Sequence, residues 1–150
     1  MKLWITTIGF EKCGCANNIW LASRLEDFTP DKVIFLYNKH KKVLANKESN
    51  KAELMALFEN IEIEEIEFEE SIEVYKKTFE KVLFDHKSDD IAIDVTPGMK
   101  YMSILGVDLA IKNKIKRVYY AHYKAFGNYE NKPIRQIPVV HVDLVNFMKK

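Results

Sequence analysis

The stretch IAIDVTPGMKYMSILGVDLAIK, residues 91–112, decides the fold class. Its first part, residues 91–95, is a short run of mostly branched apolar residues, which predicts a buried strand. Pro97 and Gly98 then turn the chain, and the apolar residues that follow predict a helix from Met99 to about Lys114. A buried strand that leads directly into a helix is typical of proteins with a parallel sheet.

The same alternation of strand and helix continues on both sides of this stretch. Further strands are predicted at residues 2–8, 32–37, 61–68, 117–123 and 138–145. Further helices are predicted after a cap at Asn17 or Asn18, after a cap at Ser49 or Asn50, and from Ser71. The order predicts a three-layer α/β fold with a mostly parallel six-stranded sheet and helices on both faces. Only a polar loop, residues 124–136, separates the last two strands, so the last strand is expected to be antiparallel.

An acidic strand is predicted at the edge of the sheet. Residues 61–68 alternate isoleucine or phenylalanine with glutamate, and seven glutamates lie between Glu62 and Glu73. Charge at this density discourages further strand pairing, so a solvated edge is favoured over a metal site. The histidines are isolated and the cysteines, Cys13 and Cys15, are only two residues apart, which gives no metal-ligand spacing. No metal and no cofactor are expected.

The composition indicates a packed globular protein. The 150 residues are 47% hydrophobic and 30% charged, and no apolar run has the length of a membrane span. The net charge of +1 argues against a protein that coats duplex DNA by charge alone. The first residues lack the pattern of a secretory leader, and the CxC pair favours no structural disulfide. We expect a single domain over residues 1–150, in a reducing, cytoplasmic compartment.

Ligand-binding residues are expected where the parallel strands end, because open α/β sheets bind ligands at that rim. Neither a P-loop signature nor a G-x-G-x-x-G fingerprint is present, so the common phosphate-binding motifs are excluded. The rim rule selects Thr7, Gly9 and Phe10 after the first strand, Asn38 after the second, and the turn at residues 94–100. The loop at residues 124–135 can fold over the same rim as a lid.

The turn at residues 94–100 carries most of the chemistry. A strand, a Thr-Pro-Gly turn and a helix start leave several backbone N–H groups unpaired, and these groups attract phosphate. Gly98 lets an anion approach the backbone, and Lys100 places a cation in a helix turn that would otherwise disfavour it. An ordinary strand–helix turn with a solvent-facing lysine explains the same residues equally well.

The residues at these positions resemble a known family. Asp94-Val95-Thr96-Pro97-Gly98-Met99-Lys100, followed by Ser103, resembles the D-x-T-x-G-x-K/R signature of CRISPR-associated Rossmann-fold (CARF) domains. Thr6-Thr7-Ile8-Gly9 is similar to the first ligand loop of that family, and residues 33–38 are similar to its second strand, which ends in a polar residue. Pro97 stands where a glycine is common in the family and can stiffen the turn.

The resemblance implies a Rossmann-like fold and a homodimer that binds a cyclic oligoadenylate, most often cyclic tetra-adenylate, across its two-fold axis. Because no effector domain follows, it also implies a ring nuclease, a metal-independent hydrolase that cuts the messenger into linear products with 2′,3′-cyclic phosphate ends and so switches off type III CRISPR antiviral signalling. The first alternative is a non-catalytic CARF sensor, which passes the signal to a partner or is a fragment of a longer effector. The second is an unrelated mononucleotide-binding α/β protein.

The resemblance also assigns roles to individual residues. Lys100 is expected to stabilise charge on the phosphoryl group, and Thr7, with Thr6 as second choice, to bond to the phosphate or orient the sugar. Asp94 is expected to position Thr96 and the turn rather than to act as a base. The remaining expected ligand-binding residues, some through their backbone, are Gly9, Phe10, Asn38, Pro97, Gly98, Met99 and Ser103.

Overall fold

Six strands alternate with helices along the chain in the computed structural model, which describes residues 1–124 and 126–149. The elements are β1 (Lys2–Thr7), α1 (Gly14–Leu25), β2 (Lys32–Tyr37), α2 (Lys41–Leu57), β3 (Glu62–Glu67), α3 (Ile72–Asp85), β4 (Asp90–Asp94), α4 (Lys100–Lys112), β5 (Arg117–Tyr123), α5 (Phe126–Tyr129) and β6 (Val142–Asn146). One residue of the predicted loop, Ala125, lies outside the described residues. No described helix combines the length and apolar character that a membrane crossing requires.

The strands form one sheet in the order β3-β2-β1-β4-β5-β6. All neighbouring pairs are parallel except β5 and β6, which are antiparallel. The predicted fold class, with a mostly parallel six-stranded sheet and an antiparallel last strand, is therefore confirmed. The strand order also places β1 beside β4, so the segments that follow these two strands are neighbours at one rim of the sheet.

Helices cover both faces of the sheet. Apolar residues of α3 and α4 pack with one set of strand side chains, including Leu3 and Ile5 of β1. Residues of α1 and α2 pack on the opposite face around Trp4, whose indole stacks on Tyr119 with ring centroids 5.5 Å apart. Alternate residues of β1 thus point into different layers, as the two-residue period of a strand requires.

The predicted acidic edge is confirmed at β3, the first strand of the sheet. Its glutamates are held by lysines from neighbouring elements: Lys32 Nζ lies 2.7 Å from a Glu64 carboxylate oxygen, and Lys47 and Lys51 each lie 3.6 Å from Glu65 Oε1. The lysine side chains therefore balance part of the negative charge that the glutamates place on this edge strand.

Two predicted helix starts are wrong, because side chains taken as caps make long-range contacts instead. Helix α1 begins at Gly14, so Asn17 and Asn18 lie inside it and are fully buried. Helix α2 begins at Lys41, where His40 Nδ1 accepts a hydrogen bond from Lys42 N at 3.2 Å. Asn50 is likewise buried within α2, and its Oδ1 accepts from Ala16 N at 3.0 Å.

The end of the chain also differs from the prediction. The polar loop contains the short helix α5 and a 3₁₀ turn at Ile134–Gln136, and the predicted last strand begins with a second 3₁₀ turn, Val139–His141, before β6. Pro133 and Pro138 immediately precede these two turns. Ile134 and Ile137 are buried against Leu21 of α1, so this segment forms part of a small core.

Candidate functional site

The candidate site lies at the rim where β1 and β4 end. Although the two strands are neighbours, α1 leaves β1 toward one face of the sheet and α4 leaves β4 toward the other. A crevice opens between diverging connections of this kind, and it is where open α/β sheets bind ligands. The turn from Asp94 to Lys100 forms one wall of this crevice.

Asp94 holds the turn from behind. Its Oδ1 accepts a hydrogen bond from Thr96 N at 3.0 Å, and its Oδ2 accepts from Asn18 Nδ2 at 3.0 Å and from Thr6 Oγ1 at 3.5 Å. Burial raises the pKa of Asp94 to about 6, although these hydrogen bonds oppose the shift by favouring the carboxylate. The carboxyl is buried, so the structure places it under the turn rather than in the crevice.

Further hydrogen bonds fix the turn to its neighbours. Thr96 Oγ1 accepts from Ala121 N of β5 at 2.9 Å, and Ser103 Oγ donates to Val95 O at 2.7 Å. Both hydroxyls therefore shape the turn. Thr96 also lines the crevice, and Ser103 lies one turn along α4.

Gly98 is essential to the shape of the crevice. Its φ of 94° lies in the region that side chains disfavour, and a Cβ added there would be 2.9 Å from Met102 Sδ. A Cβ on Gly9 would be 2.8 Å from Gly98 N. The loop after β1 and the turn after β4 therefore touch through two glycines.

The start of α4 presents donors and a cation. The backbone N–H groups of Gly98, Lys100 and Tyr101 have no acceptor within the described part of the chain. Lys100 is exposed and takes part in no ion pair among the described residues, whereas Lys112 of the same helix lies 2.8 Å from Asp108 Oδ2. The helix N-terminus adds its partial positive charge, so this end of α4 has the character of an anion site.

The two threonines of the first strand lie behind this rim. Thr7 Oγ1 and Tyr75 OH are 2.7 Å apart, and the Thr7 methyl group faces Gly98. Thr6 is buried, with its hydroxyl toward Asp94. The two hydroxyl groups thus make intramolecular contacts, and Tyr75, on α3, is a partner that no local sequence pattern indicates.

A pocket of about 130 Å³ lies on one side of the contact between the glycines. We call it the His40 pocket, and its lining is mainly apolar: Ile8, Gly9, Phe10, Asn38, His40, Val43, Glu70, Gly98, Met99 and Met102. The Phe10 and His40 rings have centroids 4.8 Å apart. Asn38 is 8% exposed and its Oδ1 accepts from His40 N at 3.0 Å, while its Nδ2 has no acceptor among the described residues. The pocket therefore offers an aromatic wall and a free amide donor.

A second pocket, of about 200 Å³, lies on the other side of the glycines. We call it the Glu11 pocket, and its lining is more polar: Gly9, Phe10, Glu11, Gly14, Asn18, Thr96, Pro97, Gly98 and Tyr123. Glu11 is the acidic side chain of this pocket, and sequence reasoning did not select it. The sequence signal that could have identified it is its position directly after Gly9 and Phe10, in the loop that follows β1.

Part of the predicted lid is attached beside the Glu11 pocket. Asn131 Oδ1 accepts from Lys12 N at 2.8 Å, and Asn17 donates to Lys132 O and accepts from Ile134 N, both at 2.8 Å. These hydrogen bonds hold the segment at residues 131–134 against Lys12 and the first turn of α1.

Cys13 and Cys15 are both buried and unbridged. Burial raises the pKa of both thiols, so neither is an activated nucleophile. Within residues 1–124 and 126–149, no three histidine, cysteine, aspartate or glutamate side chains converge as a metal site would require.

Comparison with known proteins places the fold among solved structures. No family model matches the sequence, and no curated protein matches it. The chain is similar to Csm6 of Enterococcus italicus bound to cyclic hexa-2′-fluoro-hexa-dAMP, with a TM-score of 0.70 and 14% identity over 99% of this chain. It is also similar to protein VC1899 from Vibrio cholerae, with a TM-score of 0.61 and 8% identity over 79% of this chain.

These similarities concern the fold. The chain spans 41% of the Csm6 chain and 30% of VC1899, so it corresponds to one part of each longer protein. The shared architecture is the Rossmann-like α/β sheet described above.

Proposed function

We propose that this chain binds a cyclic oligoadenylate and cleaves it as a ring nuclease, and that the ring is cyclic tetra-adenylate, as the CARF resemblance implies. The observation that carries the proposal is the turn from Asp94 to Lys100, which borders the crevice between β1 and β4. The turn ends at the start of α4, where Lys100 is exposed and three backbone N–H groups have no acceptor among the described residues. The fold similarity to Csm6, whose structure contains a cyclic hexa-adenylate analogue, supports the same class of ligand.

Different parts of the ligand are expected to contact different groups of the crevice. A phosphodiester accepts hydrogen bonds from the N–H groups at the start of α4 and lies near the Lys100 ammonium. An adenine enters the His40 pocket, where the Phe10 and His40 rings offer stacking surface and the Asn38 amide offers a donor to a ring nitrogen. The adjoining ribose then reaches the Glu11 pocket past Gly9 and Gly98.

A homodimer would duplicate this site. The outer face of α4 exposes Ile104 and Ile111, which are 69% and 60% accessible. On the same face of the sheet, Tyr120 of β5 is opposite Val145 of β6, and its ring stacks on Phe147 at 6.0 Å. Apolar side chains at this density on a helix and adjoining strands are typical of an interface. An isologous dimer through them matches a ring with two-fold symmetry.

Cleavage needs alignment more than reactive side chains. The ribose 2′-hydroxyl attacks the adjacent phosphorus, the 5′ oxygen leaves, and a 2′,3′-cyclic phosphate forms. The turn holds the phosphodiester so that the 2′-hydroxyl, the phosphorus and the leaving 5′ oxygen are in line. Lys100 and the α4 N–H groups then stabilise the negative charge on the phosphoryl oxygens. Asp94, Thr96 and Ser103 act as positioning residues, because their hydrogen bonds fix the turn.

A non-catalytic sensor is the second candidate function. The observation that favours it is the contact between Thr7 Oγ1 and Tyr75 OH, which directs this hydroxyl away from the crevice. In that case the ring binds in the same place, and its effect passes to a partner protein.

Incubation of the protein with labelled cyclic tetra-adenylate and EDTA, repeated with the hexa-adenylate ring, distinguishes the candidates. Linear products with 2′,3′-cyclic phosphate ends support the ring nuclease. Tight binding with the ring intact supports the sensor, and absence of binding to either ring contradicts both. Light scattering at micromolar concentration tests the dimer independently, and a monomeric mass would contradict the shared site.

A further inference from the structure

Glu11 is a carboxylate in a pocket that the proposed function assigns to an anionic ligand. Its side chain folds over the start of α1, where Oε2 would be 3.5 Å from a Cβ on Gly14, and Oε1 accepts from Asn131 N at 3.3 Å. The Glu11 pocket also contains Thr96, Pro97 and Gly98, so the carboxylate and the turn border the same space.

The other polar side chains of this pocket already have hydrogen-bond partners within the protein. Asn18 donates to Asp94 and accepts from Tyr123 OH at 2.8 Å, and Thr96 Oγ1 accepts from Ala121 N. Glu11 Oε2, by contrast, has no donor among the described residues. It is therefore the free ionisable acceptor of the pocket, available to a hydroxyl group of a ligand.

The charge of Glu11 is unfavourable for binding alone. A carboxylate near a phosphodiester repels it, so a site that served binding only would gain from an amide at this position. Burial raises the pKa of Glu11, with a smaller contribution in the same direction from the charge of Glu130. A carboxylate that is easier to protonate is suited to accept a proton in a reaction at neutral pH.

We propose that Glu11 is the general base of the cleavage reaction, an assignment that rests on the proposed ring nuclease function. Oε2 accepts the proton of the ribose 2′-hydroxyl while the 2′ oxygen forms its bond to phosphorus. The bond between phosphorus and the 5′ oxygen breaks, and the 5′ oxygen keeps the electron pair and takes a proton from water. Glu11 then releases its proton to solvent.

A purely structural role for Glu11 predicts different behaviour. In that role the side chain accepts from Asn131 N and places a negative charge near the start of α1. Glu11→Gln keeps an oxygen for the Asn131 contact and nearly the same shape, but it cannot accept the proton. Glu130→Gln is the matched control, because it removes a neighbouring charge from an exposed side chain outside the pocket lining.

The test compares single-turnover cleavage and ring binding for wild type, Glu11→Gln and Glu130→Gln. We expect Glu11→Gln to cleave about 100-fold or more slowly while binding the ring as tightly as wild type or more tightly, and Glu130→Gln to cleave within about two-fold of wild type. In wild type the rate should rise with pH through the titration of Glu11 and then level off, and Glu11→Gln should lack this rise. Groups near Glu11 that can shift the profile are Lys12 and Cys13 on its own loop, Tyr123 on β5 and Glu130.

Three results would overturn the assignment. If Glu11→Gln cleaves at the wild-type rate, the base is another group, although the ring nuclease function stands. If Glu11→Gln loses cleavage, binding and thermal stability together, its role is structural. If wild type binds the ring and never cuts it, the ring nuclease function and the role of Glu11 as base both fail.

Discussion

The buried carboxyl of Asp94 should make folding stability increase as the pH falls, and Asp94→Asn should remove that contribution. Burial raises the pKa of Asp94 from an ordinary value of 3.8 to about 6. Between these two values the folded chain holds a proton that the unfolded chain has released. The free energy of unfolding therefore rises as the pH falls through 6, and the gain is complete below 3.8.

The size of this effect follows from the two pKa values. Their separation, at about 1.4 kcal/mol for each pH unit, corresponds to about 3 kcal/mol. Asp94 is fully buried, so solvent does not screen this contribution. About 2 kcal/mol of it should be gained between pH 8 and pH 4.5, because the folded carboxyl is almost fully protonated at the lower pH while the unfolded one is still mostly ionised.

Urea unfolding of wild type and Asp94→Asn at these two pH values measures the contribution. The stability of wild type relative to Asp94→Asn should increase by about 2 kcal/mol on going to pH 4.5. Asp143→Asn, which changes an exposed aspartate of β6, should leave the pH trend of wild type in place. A stability difference between wild type and Asp94→Asn that is equal at both pH values would refute the reasoning.

Three further predictions concern the turn and the dimer. Lys100→Ala should slow cleavage of the ring by about 100-fold in single-turnover assays, and an unchanged rate would remove Lys100 from the mechanism. Gly98→Ala should lower the free energy of unfolding by about 1–3 kcal/mol, because Gly98 has a φ of 94° and an added Cβ would lie too close to Met102 Sδ. In the same chemical denaturation experiment, Gly127→Ala should change the free energy of unfolding by less than about 0.5 kcal/mol, because an added Cβ there meets no neighbouring atom. Ile104→Glu should give a monomer by light scattering. Met55→Glu changes an exposed residue of α2, on the opposite face of the sheet, and should leave the mass unchanged. Equal masses for the two variants would contradict the proposed interface.

The architecture could be predicted from the sequence because it depends on periodicity. Continuous apolar runs such as residues 33–36 are typical of strands covered on both faces, and the alternating glutamates of β3 are typical of an edge. The sequence did not predict that β1 and β4 are neighbours in the sheet, because strand order depends on how the crossover connections pack. That adjacency is what creates the crevice.

Helix boundaries were harder to predict, since they depend on which partner a polar side chain finds. Asn17, Asn18 and Asn50 have the chemistry of helix caps, yet each is buried within a helix and bonds to residues far away in the chain. Their burial is stabilised by those distant partners, and local sequence carries no information about them.

The candidate site was predictable in its main part and not in its details. The turn from Asp94 to Lys100 could be predicted because its features are local in the sequence. They are the end of a strand, a glycine in the turn and a lysine at the start of a helix. The engagement of Thr7 by Tyr75, 68 positions away, and the place of Glu11 beside the turn both depend on tertiary packing.

In the proposed complex, the contact between Gly9 and Gly98 would allow one turn to face both the base and the sugar-phosphate part of a bound nucleotide. The two connections leave β1 and β4 for opposite faces of the sheet, so their first residues must pass each other at the rim, and a Cβ on Gly9 would be 2.8 Å from Gly98 N. Because both residues lack a side chain, the backbone of the turn remains accessible from either side, toward the His40 pocket and toward the Glu11 pocket. A larger residue at either position would push the segments apart and change the distance between the two pockets. The spacing between the proposed base-binding and reaction subsites is therefore determined by backbone contact, which varies less than the position of a long side chain.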